Sequence, residues 1–195
     1  MDSETLKSNI LSKDASDEVL VEMVKSGSEI AFNELVKRYM KKAHSIAYQF
    51  VGNSQDAKDL SQDVFIKIYQ SISSFKEGYK FFSWFYRILL NHCINFKKRK
   101  YILDDIDELK GHNILKSSDE TFLDDEINLM ELKETVHNAI SKLPLRQRKV
   151  VILCEIEGFS QNDVSKILNI SEGTVRSRLF YAKKRLKKYL KDYLK

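Results

Sequence analysis

Arg176, Ser177 and Phe180 stand close together in the stretch SEGTVRSRLFYAKKRL, residues 171–186. An arginine guanidinium bonds guanine through two parallel N–H donors, a serine hydroxyl serves several bases, and an aromatic edge meets a thymine methyl. Such a set reads a DNA major groove if one backbone element presents all three on one side. Helical spacing does so here. Val175, Leu179, Ala182 and Leu186 recur at i, i+4, i+7 and i+11, an apolar seam that faces a core. At about 100° per residue, Phe180 then points away from that seam with Ser177 and Lys184. Lys183, Lys184, Lys187 and Lys188 suit phosphates, or a helix C-terminus whose dipole favours cations. Arg178 and Arg185 lie nearer the seam's edge, where they brace phosphates or neighbouring helices.

A second set lies in SSFKEGYKFFSWFYRILLNHCINFKKRK, residues 73–100, where nine residues from 75 to 96 are aromatic if His92 is counted. Phe82, Phe85 and Leu89 share one helical face and Trp84 and Ile88 another, which is packing. Phe75 differs. It lies in the polar loop before the helix, and the helix ends in the basic run Lys97 to Lys100. A loop aromatic beside cations is suited to stacking an unpaired base while the cations hold the backbone. Asn91 and Asn95, one turn apart, can hydrogen-bond base edges from the same side. Enzyme chemistry finds no footing: His44, His92, His112 and His137 are scattered, with no HExxH, no glycine-rich phosphate loop and no nucleophile elbow. A non-catalytic protein without cofactor or metal is expected.

These side chains need helices to carry them. Periodicity predicts a short helix opening at Ser16, a longer one from Glu29 to about Phe50, a third capped by Ser54 and running to Ser71, and a fourth from Phe81 to Lys98. Short connections make them one compact bundle. Residues 101–127 are acidic and lack a sustained apolar stripe, which predicts a flexible linker. From Leu129 a second bundle begins. Pro144 starts one helix and Gly158 ends it. Ser160 caps the next with Asp163 three residues on, and Phe159 and Val164 are spaced as a hydrophobic staple. Ser171, with Ile170 and Val175, repeats the device after the tight Asn169–Ile170 connection. Two such helices, the second basic, make a helix-turn-helix. Asn169 stands where many such turns have glycine, and asparagine tolerates the left-handed conformation well. The expected fold is all-α: a tail over 1–15, a bundle over 16–100, an acidic linker over 101–128, and a helix-turn-helix bundle over 129–195.

Charge follows the same division. Residues 1–103 carry 16 basic and 12 acidic side chains, residues 104–134 carry 3 and 11, and residues 135–195 carry 14 and 5. Such asymmetry points to a polyanionic partner, nucleic acid or an anionic membrane. No run of about 18 apolar residues predicts a membrane span, and the first residues show no secretory pattern. Cys93 and Cys154 read as buried, reduced thiols, so a cytoplasmic location is expected.

The order FNELVKRY, DAKDLSQDVFIKIYQ, FFSWFYRILLN and LPLRQRKVVILCEIEGFSQNDVSKILNISEGTVRSRL closely resembles the sigma-70 family, and the length fits its extracytoplasmic-function (ECF) group. The resemblance covers about 30–100 and 130–187. It implies a sigma-2 domain, a linker and a sigma-4 domain in a dissociable specificity subunit of bacterial RNA polymerase. DLSQDVF matches the segment that binds the beta-prime clamp helices, with Asp59, Gln62, Asp63 and Phe65 as the contact residues. The loop from Phe75 through Lys76 to Lys80 matches the one that captures a flipped base of the minus-10 element, supported by Asn91, Asn95 and Lys98. Ser171, Thr174, Arg176, Ser177, Arg178, Phe180, Tyr181 and Lys184 match the minus-35 reading helix. The resemblance also implies contact with the beta flap, a linker threading toward the RNA-exit path, and control by an anti-sigma factor. Three positions depart from the family pattern. Ser165 replaces a usual alanine, Asn95 a frequent aspartate, and Tyr181 a commonly basic residue. A stand-alone helix-turn-helix regulator is the competing reading. It accounts for residues 129–195 and leaves the N-terminal loop and DLSQDVF without a task.

Overall fold

The computed structural model describes residues 14–108 and 124–193, and among these every regular element is helical. Helix α1 spans Asp17–Lys25, α2 Glu29–Val51, α3 Ser54–Ser71 and α4 Phe81–Glu108. The C-terminal unit contains α5 (Asp124–Ser141), α6 (Leu145–Val151), α7 (Gln161–Leu168) and α8 (Glu172–Tyr189). Two helical bundles are therefore present, as the periodicity predicts.

Each start has a local cause. Ser16, Ser28, Ser160 and Ser171 sit extended before their helices and accept a backbone N–H of the first turn, which satisfies one of the donors that a helix leaves open. At α3 the cap is Asn53, whose side chain accepts from Asp56 N at 2.7 Å, and Ser54 is the first helical residue instead. Asparagine at an N-cap serves as well as serine, so the predicted cap is off by one position. Asn169 ends α7 at φ 52°, the left-handed turn that lets α8 fold back against it.

Two boundaries differ from expectation. Helix α4 continues past Lys98 to Glu108, and α5 begins at Asp124, so both ends of the expected linker are helical. Low apolar content predicts no packing face there, but it does not forbid hydrogen-bonded backbone. Residues 109–123 and 1–13 lie outside the described residues, and with them the flexible linker and tail expected there. Helix α6 also runs on as a π turn over Ile152–Ile156, with Glu157 N bonding Ile152 O at 3.0 Å. The wider turn rotates the chain beyond it and aims Glu157 and Phe159 at the N-terminal unit.

The core of the N-terminal unit is aromatic. Tyr39, Phe81, Phe85 and Tyr86 meet edge-on or tilted, with centroids between 4.7 and 5.9 Å apart. The Tyr39 hydroxyl donates to Asp17, which also receives Arg38 at 2.9 Å, and burial keeps that phenol protonated far into alkaline pH. Cys93 is fully buried with its thiol pushed up to about 12, and Cys154 is half-buried and also free.

The two units dock. Phe159, spaced as a staple for α7, packs on Phe82 (5.2 Å) and Tyr86 (4.9 Å), and Lys42 Nζ lies 4.4 Å from its ring centre. Arg87 donates to the carbonyls of Lys166 (3.1 Å) and Ile167 (3.3 Å), the negative end of α7. Ser45 donates to Glu157 at 2.6 Å.

Candidate nucleic-acid interface

Helix α8 holds the first candidate set as its spacing demands. Val175 and Ala182 are fully buried and Leu179 nearly so, which fixes the seam against α6 and α7. Arg176, Ser177, Tyr181 and Lys184 are exposed, and Phe180 is 65% exposed. The Phe180 and Tyr181 rings meet edge to face at 5.4 Å, so they form one aromatic surface rather than two independent side chains. Arg178 is half-buried at the seam's edge, closer to the bundle than its neighbours. Ser171 and Thr174 are occupied at the helix start: Ser171 Oγ accepts Thr174 N at 3.2 Å and lies 2.9 Å from its hydroxyl. Ser165, at the alanine position of the family, folds its hydroxyl back onto Asn162 O at 2.7 Å. The substitution is absorbed locally.

The second set is arranged differently from expectation. Phe75 does not project from its loop. Its ring is 95% covered, edge-on to Phe81 (6.1 Å) and Trp84 (5.4 Å). The reason is hydrophobic: an aromatic ring at the end of the Ile72–Ser74 turn falls over the apolar mouth of the bundle. Tyr79 is the loop's exposed ring, at 65%, flanked by exposed Lys76 and Lys80. Sequence reasoning passes over it because Phe75 is the more apolar of the two. Asn91, Asn95 and Lys98 are exposed on α4, one helical stripe with Arg87.

Helix α3 turns Asp59, Gln62 and Asp63 outward, but Phe65 inward, 5% exposed and 5.3 Å from Phe85. Phe65 is a core residue, not the surface contact expected of it, because its ring falls on the apolar side of α3. The apolar groups on the open face are Ile66 and Tyr69, both just over half exposed, with Phe32 against Tyr69 at 4.9 Å. Positions 59, 62, 66 and 69 follow helical spacing, a signal that could have found them.

Basic groups crowd where the units meet. Burial, and then nearby Arg148, lower the pKa of Lys97. Burial, and then Arg178 and Lys98, lower that of Lys149. Cations of α4, α6 and α8 therefore feel one another, an electropositive surface suited to a polyanion.

The family model for sigma-70 region 2 matches residues 35–101, and that for sigma-70 region 4 matches 133–186. The ECF RNA polymerase sigma-E factor of Escherichia coli K12 is 35% identical over 179 residues, 89% of this chain and 93% of that protein. Among solved structures, CnrH in complex with the cytosolic domain of CnrY superposes with TM-score 0.68 at 24% identity, covering 91% of this chain and 99% of that one. The sigma factor RpoE of Bartonella quintana, solved with the anti-sigma factor NepR, gives TM-score 0.59 at 24% identity, over 82% and 96%.

Proposed function

The chain belongs to the sigma-70 family, in its extracytoplasmic-function group, and from that premise we propose how its surfaces divide the work of starting transcription. It binds core RNA polymerase, brings it to a promoter and stabilises the melted DNA. It acts where polymerase acts, in the cytoplasm, as a specificity subunit with no chemistry of its own. The working parts of the two units are 16–100 and 129–195, with the end of α4 and the start of α5 reaching beyond them. The observation that carries this reading is the pair of separate exposed reading surfaces, α8 with Phe180 and the 75–80 loop with Tyr79. A stand-alone groove reader needs only the first.

The outer row of α8 reads the minus-35 element. Arg176 takes a guanine edge, Phe180 and Tyr181 offer apolar contact, and Ser177, Arg178 and Lys184 complete the row. Ser171 and Thr174 place the helix start against the backbone. On the N-terminal unit, Tyr79 stacks the unpaired minus-10 base, Phe75 is the wall beneath it, and Lys76, Lys80 and Lys98 hold phosphates. Asn91 and Asn95 offer amides to base edges. Asp59, Gln62 and Asp63, with Ile66 and Tyr69, form the polymerase-facing patch of α3, and Phe65 supports it from inside. Control by an anti-sigma factor follows from the same membership.

Reconstitution with core polymerase tests the reading. Transcription from a promoter should depend on the chain, and Tyr79→Ala should leave core binding intact while impairing melting. Footprinting of duplex DNA by the free chain, without any polymerase-dependent transcript, would favour the stand-alone regulator.

A further inference from the structure

Among the described residues, little within the loop that carries Tyr79 holds it in place. Residues 76–80 are all exposed, and within the loop the hydrogen bonds are Phe75 N to Ile72 O (3.0 Å) and Tyr79 N to Lys76 O (3.4 Å). Gly78 turns the chain at φ +82°. Both ends of this loop, however, are gripped from α1. Lys25 Nζ donates to Phe75 O at 2.9 Å, lies 5.8 Å from the Phe75 ring centre, and is fixed in turn by Glu22 at 2.8 Å. At the other end Glu18 Oε1 accepts the N–H of Phe81 at 3.3 Å and faces Lys80 Nζ at 3.7 Å.

The second grip answers a defect in the sequence. Lys80 stands at the N-cap of α4, with its carbonyl accepting from Ser83 and Trp84, and a lysine side chain has no acceptor for the first-turn donors. Glu18 supplies the acceptor and the negative charge from a different helix. Positions 18, 22 and 25 fall on one face of α1, so a single helix presents both grips. Between that face and the loop is a cavity of about 720 Å3, walled by Glu22, Met23, Gly27, Phe75, Gly78 and Tyr79.

The geometry points to Lys25 and Glu18 as positioning residues for the base-capture loop: α1 sets the distance between the loop's ends, and so where Tyr79 stands when DNA opens. This rests on the proposed role of the loop. Neither residue touches DNA; each acts through the loop's backbone.

The test uses the full chain with core polymerase, reading melting as permanganate reactivity of unpaired thymines. Lys25→Met should slow melting about tenfold, the scale of one lost charge-assisted hydrogen bond, with core binding unchanged and Lys25→Arg restoring the rate. Independently, Glu18→Ala should speed amide exchange at Phe81 by about fivefold, the scale of a lost cap, while Glu18→Gln keeps the acceptor and the protection. Folded Lys25→Met that melts DNA at the parental rate overturns the inference, as does unchanged Phe81 exchange in Glu18→Ala. The exchange experiment decides alone if Lys25→Met does not fold. Impaired melting by Tyr79→Ala alone would leave the loop's role standing and remove only the positioning. Parental melting by Tyr79→Ala would remove the loop's role itself.

Discussion

Helix α8 presents its readers on a frame made by its neighbours in sequence, whereas the 75–80 loop is held by side chains 50 and 63 positions upstream. Ser171 caps α8 three residues into its own turn, and Asn169 makes the bend that places it. The seam of Val175, Leu179 and Ala182 then fixes which residues face out. A duplex groove is a rigid target, and a self-capped helix is a rigid reader. An unpaired base has no fixed place until something catches it, and the site proposed for it is a loop whose shape belongs to the whole N-terminal bundle. Duplex reading can therefore be encoded locally, while capture of melted DNA depends on tertiary structure.

The sharpest way to break this contrast is to truncate one phenylalanine in each unit. Phe75 is covered and Phe180 is mostly bare. Phe75→Ala should cost about 3–5 kcal/mol of stability through lost burial and a new cavity. Phe180→Ala should leave the melting temperature unchanged and weaken only binding to the minus-35 duplex. Thermal melts beside duplex-binding assays separate the two. Equal stability losses would mean that Phe180 is part of a core, and the distinction between the two readers would collapse.

Arg176→Ala comes next. With the guanidinium on an exposed helix face and in no ion pair among the described residues, its loss should cost about 1–3 kcal/mol at a promoter with the matching guanine and little at a mismatched one. A uniform loss across sequences, with a shallower salt dependence, would make it a phosphate contact. Smaller still is Ser171→Ala, which should remove about 1 kcal/mol from the C-terminal unit alone. Urea titration followed by probes in each unit reads this. A matching loss in the N-terminal unit would show that the two fold as one.

Locality also explains why so much of this molecule is legible in its amino-acid sequence. Caps, the α8 seam and the left-handed Asn169 all act within a few residues, so spacing alone reveals them. Phe65 and Phe75 escape such reading because motif position says which residues matter and not which way they point. Burial of either ring is decided by Phe81, Trp84 and Phe85 arriving from α4. Tyr79 escapes it for the converse reason, since exposure of an aromatic loop residue is visible only once its neighbours are in place. The grips of Lys25 and Glu18 leave no mark in sequence spacing at all. Nor does the docking of Phe159, which local pattern assigns to a staple within its own unit.

That docking sets the last prediction, the smallest in size. Promoter elements named for positions minus-35 and minus-10 lie about 25 base pairs apart, or roughly 85 Å at 3.4 Å per pair. A compact fold of this length has a radius of gyration of about 16 Å, so on the proposed roles the docked units cannot reach both elements at once and would part on the promoter. His137 lies in the seam between them, its ring 5.7 Å from that of Tyr48 and its Nδ1 without a hydrogen-bond partner among the described residues. Burial, and then Lys97 and Arg148, hold its pKa below the ordinary histidine range, against a smaller opposing pull from Glu134. The part of that depression that comes from Lys97 and from cover by Tyr48 and Gly52 of the N-terminal unit exists only in the docked form, so docking prefers the neutral ring. The contribution is complete above the ordinary histidine pKa of about 6.5 and is lost as pH falls through the docked value. Acidification from pH 8 to pH 5 should therefore lengthen the distance between labels on α2 and α8 in the free chain, and His137→Gln should flatten that response. Burial, and then Lys67, also lower the pKa of His92, but it faces Asp63 inside the N-terminal unit. Its protonation should lower that unit's stability without moving the labels apart. An inter-unit distance independent of pH, with Phe159→Ala still opening the chain, would assign the docking to the aromatic slot alone.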